Sequence, residues 1–189
     1  MPSHLPHEVR RLLDPVRLLV LDVDGVLTDG SLWYGPGGEE FKRFHVRDGL
    51  AVRLLVDAGL AVAIISGRTS EAVAVRCRDL GVDAALVIQG SRDKSADLDR
   101  LESILGLSDG QVAAIGDDLP DLPLLARAGF TACPADAAPE VAAACDHVCG
   151  AEGGHGAVRE VAELLLKAQG RWVSATGRWL VAAPRSAAE

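Results

Sequence analysis

The stretch RLLVLDVDGVLTDG, residues 17–30, decides the fold more than any other part of the chain. Four apolar residues, 18–21, have the composition of a buried strand, and they stop at two aspartates one residue apart, Asp22 and Asp24. In an open α/β sheet the carboxyl ends of parallel strands face the ligand crevice, so both carboxylates are predicted to reach one site. Two carboxylates held close together favour a hard divalent cation such as Mg²⁺ as their partner.

The Asp-x-Asp-Gly sequence has two other interpretations. Asp and Gly are common in turns for backbone reasons, so the segment on its own is equally typical of an ordinary turn. A calcium-binding loop requires glycine at its sixth position and a bidentate glutamate at its twelfth. Counting from Asp22, these positions hold Leu27 and Trp33, so the calcium-loop interpretation fails.

Length and composition indicate one domain with an aliphatic core. The chain has 189 residues, of which 49% are hydrophobic but only 4% aromatic, so Val, Leu, Ile and Ala must fill the core. This is typical of buried parallel strands covered by helices. The net charge of −8 argues against nucleic acid or an anionic membrane surface as a partner. We also expect no membrane span, because no run of about 18 apolar residues occurs.

The four cysteines have neither a C-x-x-C pair nor the spacing of a zinc site with histidines. We interpret them as buried thiols of a reducing compartment. Residues 1–15 lack the uninterrupted apolar stretch of a secretory signal. We therefore expect a cytoplasmic protein.

Strand-like and helix-like segments alternate along the chain, which predicts an α/β fold with a doubly wound parallel sheet of the Rossmann type. The predicted strands are residues 18–21, 60–65, 84–88, 112–115 and 130–133. The predicted helices are residues 48–58, 70–80, 95–105, 122–128 and 157–168. Four of these helices are followed by a glycine suited to a left-handed C-cap, at Gly59, Gly81, Gly106 and Gly129.

Residues 31–46, SLWYGPGGEEFKRFHV, interrupt this alternation. Two short β-like arms around Gly-Pro-Gly-Gly predict a hairpin flap directly after the first strand. The flap could cover the site, pair with another subunit or be a solvated edge hairpin. No large cap insertion is visible, so residues 1–189 are predicted to form a single domain, with loosely held tails at 1–15 and 173–189.

Polar residues also follow the later predicted strands. They are Ser66, Lys94, Asp117, Asp118 and Asp121. Each on its own is explained by a helix cap or a solvated helix position. Together with the first aspartate pair they supply a nucleophile, a proton donor, a hydroxyl and a cation for phosphate oxygens, and acids for a metal ion. Those are the parts that phosphoryl transfer needs.

This ordered set resembles the four motifs of the haloacid dehalogenase superfamily of phosphohydrolases over nearly the whole chain. The resemblance implies that Asp22 is a nucleophile that forms an aspartyl-phosphate. It implies that Asp24 protonates the leaving group and then activates water, while Ser66 and Lys94 hold the phosphoryl group. The implied Mg²⁺ ligands and their supporting acids are Asp22, the backbone carbonyl of Asp24, Asp117, and around them Asp118 and Asp121.

A closer resemblance is to the small-cap branch of that superfamily, typified by 3-deoxy-D-manno-octulosonate 8-phosphate phosphatases. It rests on the hairpin and on the motifs DVDGVLTDG, FHVRDG, SGR, GDDLPDLP and GGHGAVREV. The branch implies a homotetramer assembled partly through the hairpin, and a small phosphorylated sugar acid as substrate in lipopolysaccharide precursor synthesis. The positions matching its sugar-binding residues are His45, Val46, Arg47, Asp48, Gly49, Arg53, Arg68 and Arg76.

The substrate stays open between several choices. Arginine forks suit the carboxylate of a sugar acid, but Arg53 and Arg76 lie inside predicted helices, where a solvated face is equally expected. His45 and His155 replace an asparagine and an arginine that are frequent in the branch, so a nine-carbon keto-deoxy sugar 9-phosphate is an alternative substrate.

Two alternatives to an enzyme of this kind are weaker. A non-catalytic sugar-phosphate-binding protein is remote, since a pure binder has no need of Asp24 as a proton carrier. A phosphorelay receiver domain is disfavoured, because its acidic pair precedes the phosphorylated aspartate instead of following it.

Overall fold

A six-stranded parallel sheet with helices on both faces is the framework of the computed structural model, which describes residues 7–180. The strands are β1 (Leu18–Leu21), β2 (Trp33–Tyr34), β3 (Glu40–Phe41), β4 (Ala61–Ser66), β5 (Val87–Gln89), β6 (Val112–Ile115), β7 (Phe130–Cys133) and β8 (His147–Val148). The helices are α1 (His7–Leu13), α2 (Val46–Asp57), α3 (Glu71–Leu80), α4 (Lys94–Leu105), α5 (Leu122–Leu125), α6 (Pro139–Ala144), α7 (Ala157–Ala168) and α8 (Trp172–Leu180).

The central strands are buried on both faces, which is why they are continuous apolar runs. Leu19 and Leu21 of β1 pack into one core with residues of α2 and α7. Leu18 and Val20 point the other way, into a second core with residues of α4 and α5. The alternation of side chains along a strand therefore joins two helical layers through one sheet.

The order of the strands, β5-β4-β1-β6-β7-β8, indicates where on the sheet a ligand can bind. The chain runs outward from β1 through β4 to β5, then returns to the other side of β1 at β6 and continues to β7 and β8. The direction of winding reverses beside β1, and ligands bind at such a switch point, outside the carboxyl ends of the strands. The doubly wound α/β prediction is confirmed.

The segments predicted as loosely held tails, 1–15 and 173–189, each include part of a helix among the residues that the structure describes. Helix α1 ends in Leu13, which is fully buried against the core of α2 and α7. Helix α8 contacts α2 and α7, and its Thr176 is buried. Both segments have enough apolar residues to dock on α7, and this contact is not visible in local sequence pattern. Residues 1–6 and 181–189 lie outside the described residues, so the single-domain organisation over 1–189 stays a prediction.

Other differences from the sequence prediction are local. The predicted strand at 84–88 starts as one 3-10 turn, Ala84–Leu86, because the Asp83 carboxylate accepts the Ala85 N–H at 2.9 Å. Helix α5 stops at Leu125, three residues early. Helix α6 and strand β8 were not predicted. The remaining predicted elements agree with the structure to within two residues at each end. Among residues 7–180, no helix is both long and apolar enough to cross a bilayer.

The predicted hairpin is confirmed as the antiparallel pair β2 and β3, with Trp33 opposite Phe41 and Tyr34 opposite Glu40. It is separate from the main sheet. Its aromatic side chains are about 60% exposed. The hairpin is therefore held by its polar residues rather than by a core of its own.

The predicted cap glycines divide into two groups. Gly59, Gly81 and Gly106 have φ angles of 80°, 76° and 66°, as a left-handed cap requires. Gly129 is not among the glycines with positive φ, so that part of the prediction is wrong. It is needed for a different reason, because a Cβ at Gly129 would lie 2.8 Å from the Cα of Gly110.

We expect Gly129→Ala to lower stability by roughly 1–3 kcal/mol, because the added methyl group meets backbone that cannot rotate away. The melting temperature should fall by about 2–4 °C for each kcal/mol, measured by circular dichroism. Gly110→Ala is the matched control, since a Cβ there has open space around it. Equal melting temperatures for the two variants would contradict this account of the contact.

Candidate active site

A buried ion-pair cluster lies at the carboxyl end of the central strands. Lys94, the first residue of α4, donates through Nζ to Asp22 Oδ1 at 2.6 Å and to Asp121 Oδ1 at 2.5 Å. The three residues are only 8%, 6% and 2% exposed. Burial acts to lower the pKa of Lys94, but the two carboxylates outweigh burial and raise it, so the lysine is a cation. The cluster joins three segments that are far apart in sequence.

The acids at this site outnumber the lysine. Asp22, Asp117 and Asp121 each place one carboxylate oxygen within 4.8 Å of the others. Burial raises the pKa of Asp117 to about 7, and the charges of Asp22 and Asp121 add to the rise. Burial also raises the pKa of Asp22 to about 6, although Lys94 acts in the opposite direction. An all-oxygen donor set with unbalanced negative charge fits a hard divalent cation.

Asp121 holds the site together through both of its carboxylate oxygens. One accepts from Lys94, and the other accepts the backbone N–H groups of Asp117 at 3.0 Å and Asp118 at 3.3 Å. Asp118 is exposed and accepts the N–H of Leu119 at 2.8 Å, so it caps the 3-10 turn Leu119–Asp121. Asp121 thus orients Lys94 and the loop of Asp117. Asp118 acts as a helix cap, which is one of the roles that the sequence allows for it.

Gly25 lets the first loop approach Asp117. Its φ angle is 94°, and a Cβ at this position would lie 2.0 Å from Asp117 Oδ2. A side chain there would push Asp117 away from Asp22. The glycine of the Asp-x-Asp-Gly sequence is thus required by the geometry of the acids as well as by the turn.

Asp24 faces the hairpin. The Lys42 ammonium donates to Asp24 Oδ1 and also lies 3.1 Å from Glu40 Oε1. The Lys42 side chain is 1% exposed. Arg68, from the loop after β4, donates to Glu40 Oε2 at 2.5 Å and to the Tyr34 hydroxyl at 3.0 Å, and its Nε lies 3.8 Å from Asp24 Oδ2. The hairpin is therefore fastened to the second aspartate by alternating charges.

Sequence analysis missed Glu40 and Lys42. A signal was present, because Glu40 in β3 and Lys42 directly after it are two residues apart, a spacing that puts side chains on one side of an extended chain. Phe41 between them is 60% exposed. Pairing with Arg68 lowers the pKa of Glu40 to about 2, so its carboxylate is ionised. Charged residues on one face of a short exposed strand, beside an acidic loop, indicate docking onto that loop.

Ser66 lies where the sequence predicts, at the end of β4 and 2% exposed. Its hydroxyl accepts the N–H of Arg68 at 3.2 Å, which also orients the arginine loop. Ser66 and the Lys94 cluster are at the same edge of the sheet, since β4 and β1 pair in parallel with Leu21 opposite Ile64.

Asp48 is the sugar-binding candidate whose position differs most from the prediction. It is 1% exposed, and its two oxygens accept the backbone N–H groups of Gly156 at 3.1 Å and Arg159 at 2.8 Å. These groups belong to the amino-terminal turn of α7, where a carboxylate is stabilised by unpaired N–H groups. Asp48 therefore ties α2 to α7, a structural task that its sequence position did not reveal.

Four further sugar-binding candidates lie on α2 and α3: Val46, Arg47, Arg53 and Arg76. Arg76 lies 5.7 Å from the centre of the Phe44 ring, and a Cβ on Gly49 would collide with its guanidinium. Arg53 is exposed and donates to the backbone oxygen of Asp79 at 3.1 Å. Val46 and Arg47 are also exposed. The structure thus does not bring Arg53 to the acidic cluster, and it supports the solvated-face alternative for that residue.

The two histidines that depart from the branch pattern lie near each other. The His45 and His155 rings have centres 6.4 Å apart. His45 Nδ1 is 3.8 Å from Asp48 Oδ2, and His155 Nε2 is 3.3 Å from Arg43. They form a polar edge between the hairpin, α2 and the loop before α7.

Known proteins share this fold and much of the sequence. The profile of haloacid dehalogenase-like hydrolases matches residues 84–161. The 3-deoxy-D-manno-octulosonate 8-phosphate phosphatase of Salmonella typhimurium is 42% identical over 92% of this chain and 90% of its own. The crystal structure of the Moraxella catarrhalis phosphatase of the same name, in complex with magnesium, phosphate and KDO, is 38% identical with a TM-score of 0.89. It covers 93% of this chain and 99% of that one.

A second solved relative bears on the metal. The cobalt-bound form of the deoxy-D-mannose-octulosonate 8-phosphate phosphatase from Haemophilus influenzae is 42% identical, with a TM-score of 0.84 over 90% of this chain and 99% of that one. Divalent cations therefore bind to more than one of these relatives. On sequence identity, coverage and fold, the chain belongs to the haloacid dehalogenase-like phosphatases, in the family of the 3-deoxy-D-manno-octulosonate 8-phosphate phosphatases.

Proposed function

We propose that this phosphatase hydrolyses 3-deoxy-D-manno-octulosonate 8-phosphate to the free sugar acid and phosphate, as a step in lipopolysaccharide precursor synthesis in the cytoplasm. The observation that carries the proposal is the buried Lys94 cluster with Asp22 and Asp121, beside Asp117, in a chain whose curated relatives of that name match it over about nine tenths of both lengths. The nine-carbon sugar alternative has no observation in its favour and becomes an outcome of the substrate test.

In the proposed mechanism, a carboxylate oxygen of Asp22 attacks phosphorus and forms an aspartyl-phosphate while the bond to the sugar oxygen breaks. Asp24 gives its proton to the leaving sugar oxygen, and then takes a proton from the water that attacks the phosphoryl group. The bond between phosphorus and the Asp22 oxygen then breaks, which releases phosphate and restores the carboxylate. Lys94 and Ser66 would hold phosphate oxygens during both steps. With a pKa of about 6, Asp22 is largely ionised at neutral pH, as a nucleophile must be.

Mg²⁺ is the cation we propose for this site, with the carboxylates of Asp22 and Asp117 and the backbone carbonyl of Asp24 as its protein ligands. When bound, it neutralises negative charge on the phosphoryl group and on the attacking carboxylate. Asp121 keeps Lys94 and the loop of Asp117 in place for this arrangement.

Lys42 is proposed as a positioning residue for Asp24. Its buried ammonium contacts the Asp24 carboxylate and bridges it to Glu40, so the hairpin sets the direction in which Asp24 presents its oxygen atoms. A proton carrier must be aligned with the leaving oxygen, and a misplacement of about 1 Å can cost roughly 10²-fold in rate. The hairpin would then be part of the reacting site as well as a cover for it.

Substrate recognition and assembly are proposed to meet at the hairpin. The exposed hydrophobic side chains there are Leu32, Trp33, Tyr34 and Phe41. Such a patch is typical of a protein interface, which supports the proposed homotetramer. Arg68 donates to Tyr34 and Glu40 of the hairpin, and we propose that it meets the carboxylate of a sugar acid, with Arg76 and His45 as further candidates.

The substrate assignment predicts a ranked phosphate-release panel with Mg²⁺ present. We expect 3-deoxy-D-manno-octulosonate 8-phosphate to have the highest kcat/KM, above nine-carbon keto-deoxy sugar 9-phosphates and above neutral hexose 6-phosphates. Asp22→Ala should release no phosphate from any of them while keeping the circular dichroism spectrum of the native protein. Equal kcat/KM values across the panel would refute the narrow assignment, and an active, folded Asp22→Ala would refute the nucleophile.

The role of Lys42 predicts a dependence on the leaving group. Lys42→Met should lower the single-turnover rate of aspartyl-phosphate formation by about 10²-fold for a sugar phosphate, and much less for p-nitrophenyl phosphate, whose leaving group needs no proton. Lys42→Arg should restore part of the rate, because it keeps the charge. Lys167→Met is the control, since Lys167 is a more exposed lysine paired with Glu163. Equal losses on both substrates would mean that Lys42 only supports the fold.

The raised pKa of Asp117 predicts how stability depends on pH without a divalent cation. An unfolded aspartate ionises near 3.8, so an acid with a folded pKa of about 7 destabilises the protein increasingly as pH rises between these values. In chelator, Asp117→Asn should therefore melt several degrees above the wild type at about pH 8, with little difference near pH 4. Added Mg²⁺ should raise the wild-type melting temperature and leave the variant nearly unchanged. A wild-type melting temperature that changes with neither pH nor Mg²⁺ would contradict the proposed site.

A further inference from the structure

A second group of potential metal ligands lies at one edge of the sheet, at strand β8 and the residues near it. His147 and Cys149 are two residues apart, and the Cys149 N–H donates to the backbone oxygen of Cys133 at 2.8 Å, so the extended backbone continues through Cys149. In an extended chain, side chains at i and i+2 share a face. Val148 between them is 47% exposed, while Cys149 is 3% exposed.

The shared face of His147 and Cys149 lies against α7. His147 Nε2 is 2.8 Å from Glu160 Oε1, and Cys149 Sγ is 3.8 Å from the backbone oxygen of Ala157. Residues 157 and 160 are three apart on the first turns of α7 and therefore neighbours on one side of the helix. One donor atom from each of His147, Cys149 and Glu160 lies within 4.8 Å of the other two.

We propose that His147, Cys149 and Glu160 form a second metal site, which takes Zn²⁺ or a similar transition metal. An imidazole, a thiolate and a carboxylate together suit such ions, whereas Mg²⁺ prefers oxygen ligands alone. Zinc bound at about 2.0 Å to nitrogen and 2.3 Å to sulfur puts neighbouring ligand atoms roughly 3.3–3.7 Å apart. Since the three donor atoms lie within 4.8 Å of one another, their separations would need to change by roughly 1.5 Å at most.

The site is chemically separate from the acids at Asp22 and Asp117, with which it shares no residue. Its thiol is not in a disulfide, since all four cysteines are free. Burial and the nearby Glu160 carboxylate raise the pKa of the Cys149 thiol, so without metal it keeps its proton. When the ion binds, the S–H bond is replaced by a sulfur–metal bond and the proton is released to solvent.

We expect a bound metal ion to restrict the movement of the edge strand β8 and of the loop that follows it. That loop packs on the segment after Asp24: the Gly154 N–H donates to the Val26 oxygen at 3.0 Å, and a Cβ on Gly153 would lie 1.8 Å from the Gly25 oxygen. A metal between β8 and α7 would therefore stiffen a support of the active-site loop. This inference does not depend on which sugar phosphate the enzyme hydrolyses.

The ordinary alternative is that Glu160 is hydrogen-bonded to His147 and accepts the backbone N–H of Gly150, at 3.0 and 3.2 Å, with a buried thiol beside it. The two interpretations differ in what the sulfur does, because only the metal site uses Cys149 as a ligand. Sequence spacing alone could not reveal the site, since Glu160 comes from a different element.

Cobalt titration of the full-length protein, after treatment with chelator, tests the proposal. Co²⁺ bound by a thiolate absorbs in the near ultraviolet through sulfur-to-metal charge transfer, and the acidic site holds no cysteine, so cobalt there gives no such band. We expect the band in the wild type and in Asp117→Asn. It should disappear in Cys149→Ser, and Zn²⁺ should displace the cobalt and abolish it.

Two further variants keep the test decisive. His147→Gln, at a partly exposed position, should weaken cobalt binding by at least about tenfold, because loss of even an outer partner of a ligand costs roughly 10–100-fold. Cys145→Ser is the matched control, because Cys145 is a partly buried thiol outside the three-residue set, and it should keep the band. Absence of the band from the wild type, or its persistence in Cys149→Ser, would overturn the proposal.

Discussion

The Lys94 ammonium between the carboxylates of Asp22 and Asp121 is the interaction on which the rest of the site depends. It lies in a buried place, where removing one partner of an ion pair typically costs about 3–5 kcal/mol because a charge is left uncompensated. The sheet meets this constraint by bringing the ends of β1 and β6 side by side, with Leu21 opposite Ile115. Even so, one lysine does not balance three acids. The raised pKa of Asp117 is the measure of that imbalance, and a divalent cation is the natural way to remove it.

The hairpin segment places a positive charge beside the second aspartate. Asp24 has no contact to Lys94. Its carboxyl group contacts instead the ammonium group of Lys42, a residue of the hairpin segment. Arg68 and Glu40 fasten the same hairpin to the loop after β4, so the flap, Asp24 and this loop form one connected network beside the pairs that Lys94 makes. This leaves the aromatic side of the hairpin exposed.

Much of this could be predicted from the sequence because the decisive signals are local. Strands β1, β6 and β7 were predicted at their observed ends, since a strand buried on both faces is a continuous apolar run. The acids and Lys94 were predicted because each stands at or after the end of such a run. What failed depends on contacts between distant segments: α8 docking on α7, Asp48 capping α7, and Lys42 reaching Asp24. The local sequence pattern predicts where a helix or a charged residue lies in the chain. It does not predict which distant residue that helix or charge contacts.

In the proposed mechanism, Asp22 carries the phosphoryl group during turnover. This role is tested most directly by quenching the enzyme with acid during steady-state hydrolysis, reducing the product with borohydride, and mapping the peptides by mass spectrometry. Borohydride converts an aspartyl-phosphate to homoserine and leaves free aspartate unchanged. The account predicts homoserine at position 22 in the working enzyme and none in enzyme without substrate. Homoserine at another aspartate, or none at all in an enzyme that is turning over, would contradict it.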